Sequence, residues 1–132
     1  MVEMTGRRIR VLIVDDEPRI VRILSLKLKL SGYDPIAAAS GVEGVEMVRT
    51  QSPDVVLLDI IMPGMSGIEA LEKIRCFSSV PVVVMTARPD VAEVVARLGA
   101  NAFITKPFDP EQPIEKIGSV LSGGNGGSVV GS

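Results

Sequence analysis

Ile9-Arg10-Val11-Leu12-Ile13-Val14-Asp15-Asp16-Glu17-Pro18 decides how the rest of the chain is read. Val11 to Val14 run without polar alternation straight into three acids and a proline. A strand that is apolar on both faces belongs in a parallel sheet covered by helices on each side. The acidic end puts charge at the carboxyl edge of that sheet, and Pro18 suits the first turn of a following helix.

Working outward, the same unit recurs. Apolar runs at Ile9–Val14, Tyr33–Ala38, Asp54–Leu58, Val80–Met85 and Asn101–Thr105 alternate with segments of helical period, which predicts five βα units. Pro18 to Leu30 carries Ile20, Ile23, Leu24 and Leu28 at helical spacing, and Gly32 follows as a stop. Ser40 with Glu43, Ser66 with Glu69, and Asp90 with Glu93 have the spacing of reciprocal helix caps, so each predicts a helix start. The last helix is expected over Pro110 to Leu121, capped by Asp109, with a start that can slip to Pro113. Residues 9–121 form the expected domain, 1–8 an N-terminal extension, and 122–132 (SGGNGGSVVGS) a flexible tail or linker.

Composition narrows the chemistry. The chain has 132 residues, 46% hydrophobic and 23% charged, enough for one aliphatic core. A net charge of -2, no Trp, one Tyr and three Phe offer neither a field nor stacking platforms for nucleic acid. No apolar run reaches membrane-spanning length and the start does not read as a signal peptide, so a cytoplasmic location is expected. Cys76 is the single cysteine and reads as an inert thiol. The absence of histidine excludes Ser–His and Cys–His nucleophile pairs and histidine-bearing zinc sites. Carboxylates, ionised above a pKa near roughly 4, are the nucleophiles left.

In an open parallel sheet, ligands bind beyond the carboxyl ends of the strands, where strand order reverses. Strand one ends in Asp15-Asp16, strand three in Asp59, strand four in Thr86 and strand five in Lys106, whereas strand two ends in alanines. If strand two lies at the outer edge, in the flavodoxin-like order 2-1-3-4-5, the other four ends converge. Carboxylates held together repel one another and need a proton or a cation, and an oxygen-only set with room for water suits Mg²⁺. Lys106 and the Thr86 hydroxyl suit the oxygens of a phosphoryl group. Taken singly, each residue has an ordinary reading: Asp15 and Asp16 as a helix cap, Thr86 as a strand terminus, Lys106 as a surface cation. Their joint arrival at one edge favours a phosphoryl-transfer site.

The segments VLIVDDEP (11–18), VVLLDIIMPGMSG (55–67), VVVMTA (82–87) and GANAFITKPF (99–108) resemble the receiver domain of two-component response regulators, from about Ile9 to Leu121. The resemblance implies a (βα)5 doubly wound fold. It also implies that Asp59 accepts a phosphoryl group from a phosphohistidine on a sensor histidine kinase or histidine phosphotransfer protein. By the same likeness Asp16 and Asp59 ligate Mg²⁺ directly, Asp15 acts largely through water, and the backbone carbonyl of Ile61 supplies a further oxygen. Lys106 would contact the phosphoryl oxygens, Pro107 would follow a cis peptide bond, and Thr86 and Phe103 would couple the site to the surface. Such a domain is a phosphoacceptor acting on an output domain or downstream protein rather than an enzyme. Helix four, strand five and helix five would be the output surface and a possible homodimer face, with no direct nucleic-acid or membrane contact.

The chain departs from the family pattern in several places. The Thr86 to Lys106 interval is short, so helix four or its loop is expected to be reduced. Phe103 stands where tyrosine is commoner, and its alternative reading is a core side chain that never switches. Ile61 and Arg88 occupy positions facing the phosphoryl group. Two other functions stay open at this point. A phosphatase of the haloacid-dehalogenase type also uses an aspartate, a Thr or Ser, a Lys and Mg²⁺, although it resembles Asp-x-Asp where this chain has Asp15-Asp16-Glu17. A phosphorylation-independent binding module is the other.

Overall fold

Five short strands carry most of the buried aliphatic residues, and the helices are laid on both faces because neither face is polar. The computed structural model describes residues 7–123, so most of the expected tail and residues 1–6 of the extension lie outside the described residues. The chain runs β1 (Arg10–Val14), α1 (Pro18–Leu30), β2 (Asp34–Ala38), α2 (Gly41–Gln51), β3 (Val55–Asp59), α3 (Gly67–Arg75), β4 (Val82–Thr86), a 3-10 turn (Pro89–Val91), α4 (Ala92–Arg97), β5 (Ala102–Thr105) and α5 (Glu111–Leu121). All neighbouring strands are parallel and their order is β2-β1-β3-β4-β5. This is the order anticipated from the polar strand ends.

Successive side chains of each strand point to opposite faces, which sorts the core into two layers. Val11, Ile13, Val55, Leu57, Val83 and Met85 pack with Leu24 and Leu28 of α1 and Ile117 of α5. Leu12, Val14, Val56, Leu58, Val82 and Val84 pack with α2, α3 and Val95 of α4 on the other side. Each such aliphatic side chain, removed from water, contributes about 1.5–3 kcal/mol before entropy is counted.

Helix starts follow local chemistry where the cap residues are free to act. The Ser40 hydroxyl accepts from the Glu43 N–H at 3.1 Å and Ser66 accepts from the Glu69 N–H at 3.2 Å. Asp109 accepts from the Glu111 N–H while the Gln112 side chain accepts from the Asp109 N–H, at 3.0 and 2.9 Å. The last helix therefore starts before Pro113, which sits buried inside its first turn. Asp90 does not cap α4, contrary to the spacing rule: its carboxylate is held by the Arg88 guanidinium at 3.0 and 2.7 Å, and the residue lies inside the 3-10 turn. Helix α4 has six residues and no side-chain cap, the reduction the short interval implied.

Strand bounds shift by one or two residues from the sequence pattern, most at β4, where Pro81 has no N–H to donate and the strand opens at Val82. At the carboxyl edge, Asp59 pairs with Met85 and Thr86 with Thr105. Asp59 and Thr86 thus close their strands and take their orientation from the sheet.

Candidate functional site

Each side chain at the carboxyl edge is aimed by a regular element. Asp15 follows β1, its N–H still bonded to the Ala38 carbonyl at 3.1 Å. Its carboxylate accepts from the Glu17 N–H at 2.9 Å and from the Lys106 ammonium at 3.1 Å. Asp59 ends β3 with its carboxylate 3.4 Å from the same ammonium. Behind it, α3 comes so close that a Cβ on Gly67 would lie 2.2 Å from the Asp59 carbonyl oxygen. Only glycine lets the helix start against the strand end.

The fold brings Asp15, Asp16 and Asp59 together: one carboxylate oxygen from each lies within 4.8 Å of the others. Asp15 and Asp59 are buried and Asp16 is exposed, so the cluster opens to solvent on one side. Burial pushes the Asp59 carboxyl up to about 6, and the Asp15 charge adds to this. Lys106 and a backbone hydrogen bond from Ile61 act in the opposite direction. Burial also works against the Lys106 ammonium, but Asp15 and Asp59 outweigh it and hold its pKa above the usual lysine value.

Three carboxylates face one ammonium, an excess of acidic groups of which Asp15 and Asp59 are buried and Asp16 is exposed. A divalent cation matches that excess, and carboxylate oxygens suit a hard ion. The residues present therefore fit the metal that the sequence implied.

The remaining predicted residues fall around this cluster. Thr86 is fully buried; its hydroxyl accepts from the Arg88 N–H at 3.0 Å and its carbonyl accepts from the Lys106 N–H at 2.7 Å. Ile61 stands beside Asp59 with its side chain exposed and reaches the carboxylate through its backbone. The Lys106–Pro107 bond is cis. Phe103 sits opposite Val84 on β5, partly buried against the layer that holds α4. Arg88 is engaged with Asp90 rather than with the carboxylates.

Sequence reasoning missed the backbone donors at Glu17, Ile61 and Arg88, because an N–H group leaves no mark on residue type. Beside Lys106 runs a mostly apolar groove of about 310 Å³ walled by Glu17, Ile20, Ala87, Pro107 and Phe108. No described helix is long and apolar enough to cross a membrane.

The family described as "Response regulator receiver domain" matches residues 11–118. The chain is 37% identical over 116 residues to the DNA-binding response regulator MtrA of Mycolicibacterium smegmatis, covering 86% of this chain and 51% of MtrA. Among solved structures, CheY in a CheX–CheY–BeF3–Mg complex from Borrelia burgdorferi superposes with a TM-score of 0.85 at 32% identity, covering 91% of this chain and 95% of that one. The response regulator TrrA of Thermotoga maritima, in complex with Mg²⁺ and BeF, gives 0.78 at 32% identity, covering 85% and 98%. The chain spans about half the length of the curated relatives it matches.

Proposed function

The chain belongs to the response regulator receiver family, and we propose from that premise that Asp59 is its phosphoacceptor. It is a receiver domain of a two-component response regulator. The observation that carries the assignment is the buried Asp59 carboxylate, 3.4 Å from Lys106 and inside a three-carboxylate cluster.

In the proposed reaction an Asp59 carboxylate oxygen attacks the phosphorus of a phosphohistidine. The P–O bond forms as the P–N bond breaks, and the imidazole leaves with the electron pair and takes a proton from water. The donor is a sensor histidine kinase or histidine phosphotransfer protein, since these 132 residues contain no histidine. Asp16 and Asp59 would hold Mg²⁺ directly, Asp15 largely through water, and Ile61 through its carbonyl. When bound, the ion neutralises charge on the transferring phosphoryl oxygens. Lys106, already between Asp15 and Asp59, is placed to follow the new negative charge, and the Thr86 hydroxyl hydrogen is available to donate to it. Two of the similar structures hold Mg²⁺ with a beryllofluoride, a tetrahedral group of phosphoryl size, which supports this reading.

Thr86 and Phe103 are the proposed route to α4, β5 and α5, the surface offered to an output domain, a downstream protein or a second copy. A cytoplasmic location accords with this role. Incubation with Mg²⁺ and acetyl phosphate, followed by intact mass, tests the assignment. One phosphoryl group per chain is expected, absent with chelator and absent in Asp59→Asn. Equal incorporation in Asp59→Asn would refute it, and sustained release of phosphate from unrelated phosphoesters would favour the phosphatase reading.

A further inference from the structure

At the edge of the sheet opposite the carboxylates, Arg75 closes α3 and turns its guanidinium onto the turn between α4 and β5. Its Nε and one terminal nitrogen donate to the Gly99 carbonyl at 3.1 and 2.8 Å, and that same nitrogen also donates to Asn101 Oδ1 at 3.1 Å. The other terminal nitrogen donates to the Ser78 carbonyl at 3.2 Å. Asn101 Oδ1 in turn accepts from the Val82 N–H at 2.9 Å, and the Asn101 N–H returns to the Val82 carbonyl at 2.8 Å. One planar cation thus ties the end of α3, the start of β4 and the start of β5. Among the described residues its partners are all neutral oxygens, and burial lowers its pKa. The turn is shaped for this contact: Gly99 has φ of +100°, and a Cβ there would lie 2.8 Å from the Arg75 Nε.

The other end of the same segment is held lightly. Helix α4 has no side-chain cap and buries Val95 alone. Its approach rests on the Thr86 hydroxyl accepting from the Arg88 N–H and on an exposed Arg88–Asp90 pair. Exposed pairs of this kind contribute little.

We propose that Arg75 is the fixed pivot of the switch segment. It pins the α4–β5 turn, so motion begun at Thr86 moves α4 as a tilt about Gly99 while residues 99–101 stay in place. A lone charge would not do this; the fork of donors does, because four hydrogen bonds in fixed directions are needed.

Amide hydrogen exchange on the full chain tests the pivot, first without ligand. In the parent protein the amides of Gly99, Ala100 and Asn101 should exchange at least tenfold more slowly than those of Val91 to Glu93. Arg75→Gln should speed exchange at 99–101 at least tenfold while leaving β1 and β3 unchanged, and Arg75→Lys should not restore it. Protection at 99–101 that is unchanged in both variants overturns the proposal, as does a parent protein in which 99–101 exchange as fast as 91–93. The second measurement rests on the Asp59 reading: with Mg²⁺ and beryllofluoride, the parent should change in α4 while 99–101 keep their protection, and in Arg75→Gln the changes should spread to 99–101. No response anywhere in the parent would count against Asp59, while the gradient without ligand would still support the pivot.

Discussion

Strand β3 has an aspartate at each end, and the two live in opposite surroundings. Asp54, just before the strand, accepts from the Arg7 guanidinium at 2.9 and 3.1 Å and from the Arg10 N–H at 2.8 Å. Those contacts, the Arg7 side chain foremost, hold its carboxyl below the usual aspartate value. Asp59, closing the strand, is buried beside Asp15 and its carboxyl is pushed up to about 6. One residue type on one strand is satisfied at the lower edge and frustrated at the upper. Frustration of this kind is a reservoir that a ligand can draw on, whereas a satisfied pair is structure.

The largest effect expected from this contrast is that Asp59→Asn stabilises the protein. In chelator, the folded state binds the Asp59 proton more tightly than the unfolded chain does, so stability contributed by this group falls as pH rises from 3.8 to about 6. At 1.36 kcal/mol per pH unit the penalty at neutral pH is roughly 3 kcal/mol. Urea melts of the parent should show that decline and Asp59→Asn should lack it. A variant less stable than the parent at pH 7.5 would mean that Asp59 is not strained.

Lys106→Gln sharpens the contrast from the other side. It removes the ammonium that faces both buried carboxylates, leaving charge uncompensated at a cost of roughly 3 kcal/mol at pH 8. The loss should shrink at pH 5, where Asp59 is largely protonated and needs no partner. An equal loss at both values would show that Lys106 acts through packing.

Mg²⁺ comes next. At ten times its dissociation constant it should add about 1.4 kcal/mol to the parent. The gain should grow as pH rises through 6, because the ion and the proton compete for Asp59, and it should be much smaller in Asp59→Asn. Thermal melts with and without chelator measure this.

How much of the contrast was legible in the sequence depends on which residues carried it. The carboxyl-edge set of Asp15, Asp16, Asp59, Thr86 and Lys106 was readable because unbroken apolar runs locate strand ends and the charged types follow at once. Ser40 and Ser66 were readable as caps because nothing competes for their hydroxyls. Asp90 was misread because Arg88, two residues earlier, captures its carboxylate, and spacing rules ignore such competition. Arg75 carries no signal of its role in the sequence, since its acceptors at Gly99 and Asn101 come from a turn that only the tertiary fold brings near. The raised carboxyl of Asp59 was invisible for the same reason: desolvation belongs to the assembled edge and to no residue in it.

The smallest effect tests whether the lower aspartate is as inert as the comparison makes it. Arg7→Gln removes the guanidinium from Asp54 but leaves the Arg10 N–H on the carboxylate. Arg7 is exposed, so its ion pair is screened by solvent and salt and should be worth less than about 1 kcal/mol. Sign follows from the lowered carboxyl: the stability it lends is present above the unfolded value of 3.8 and disappears as pH falls below it. The variant should therefore lose a little stability at pH 7 and almost none at pH 3, and added salt should narrow the difference at pH 7. Phosphoryl incorporation from acetyl phosphate should match the parent, since the two aspartates sit at opposite ends of β3. A fall in incorporation without loss of fold would mean that the lower edge is coupled to the upper through β3, and the division between a structural aspartate and a reactive one would have to be abandoned.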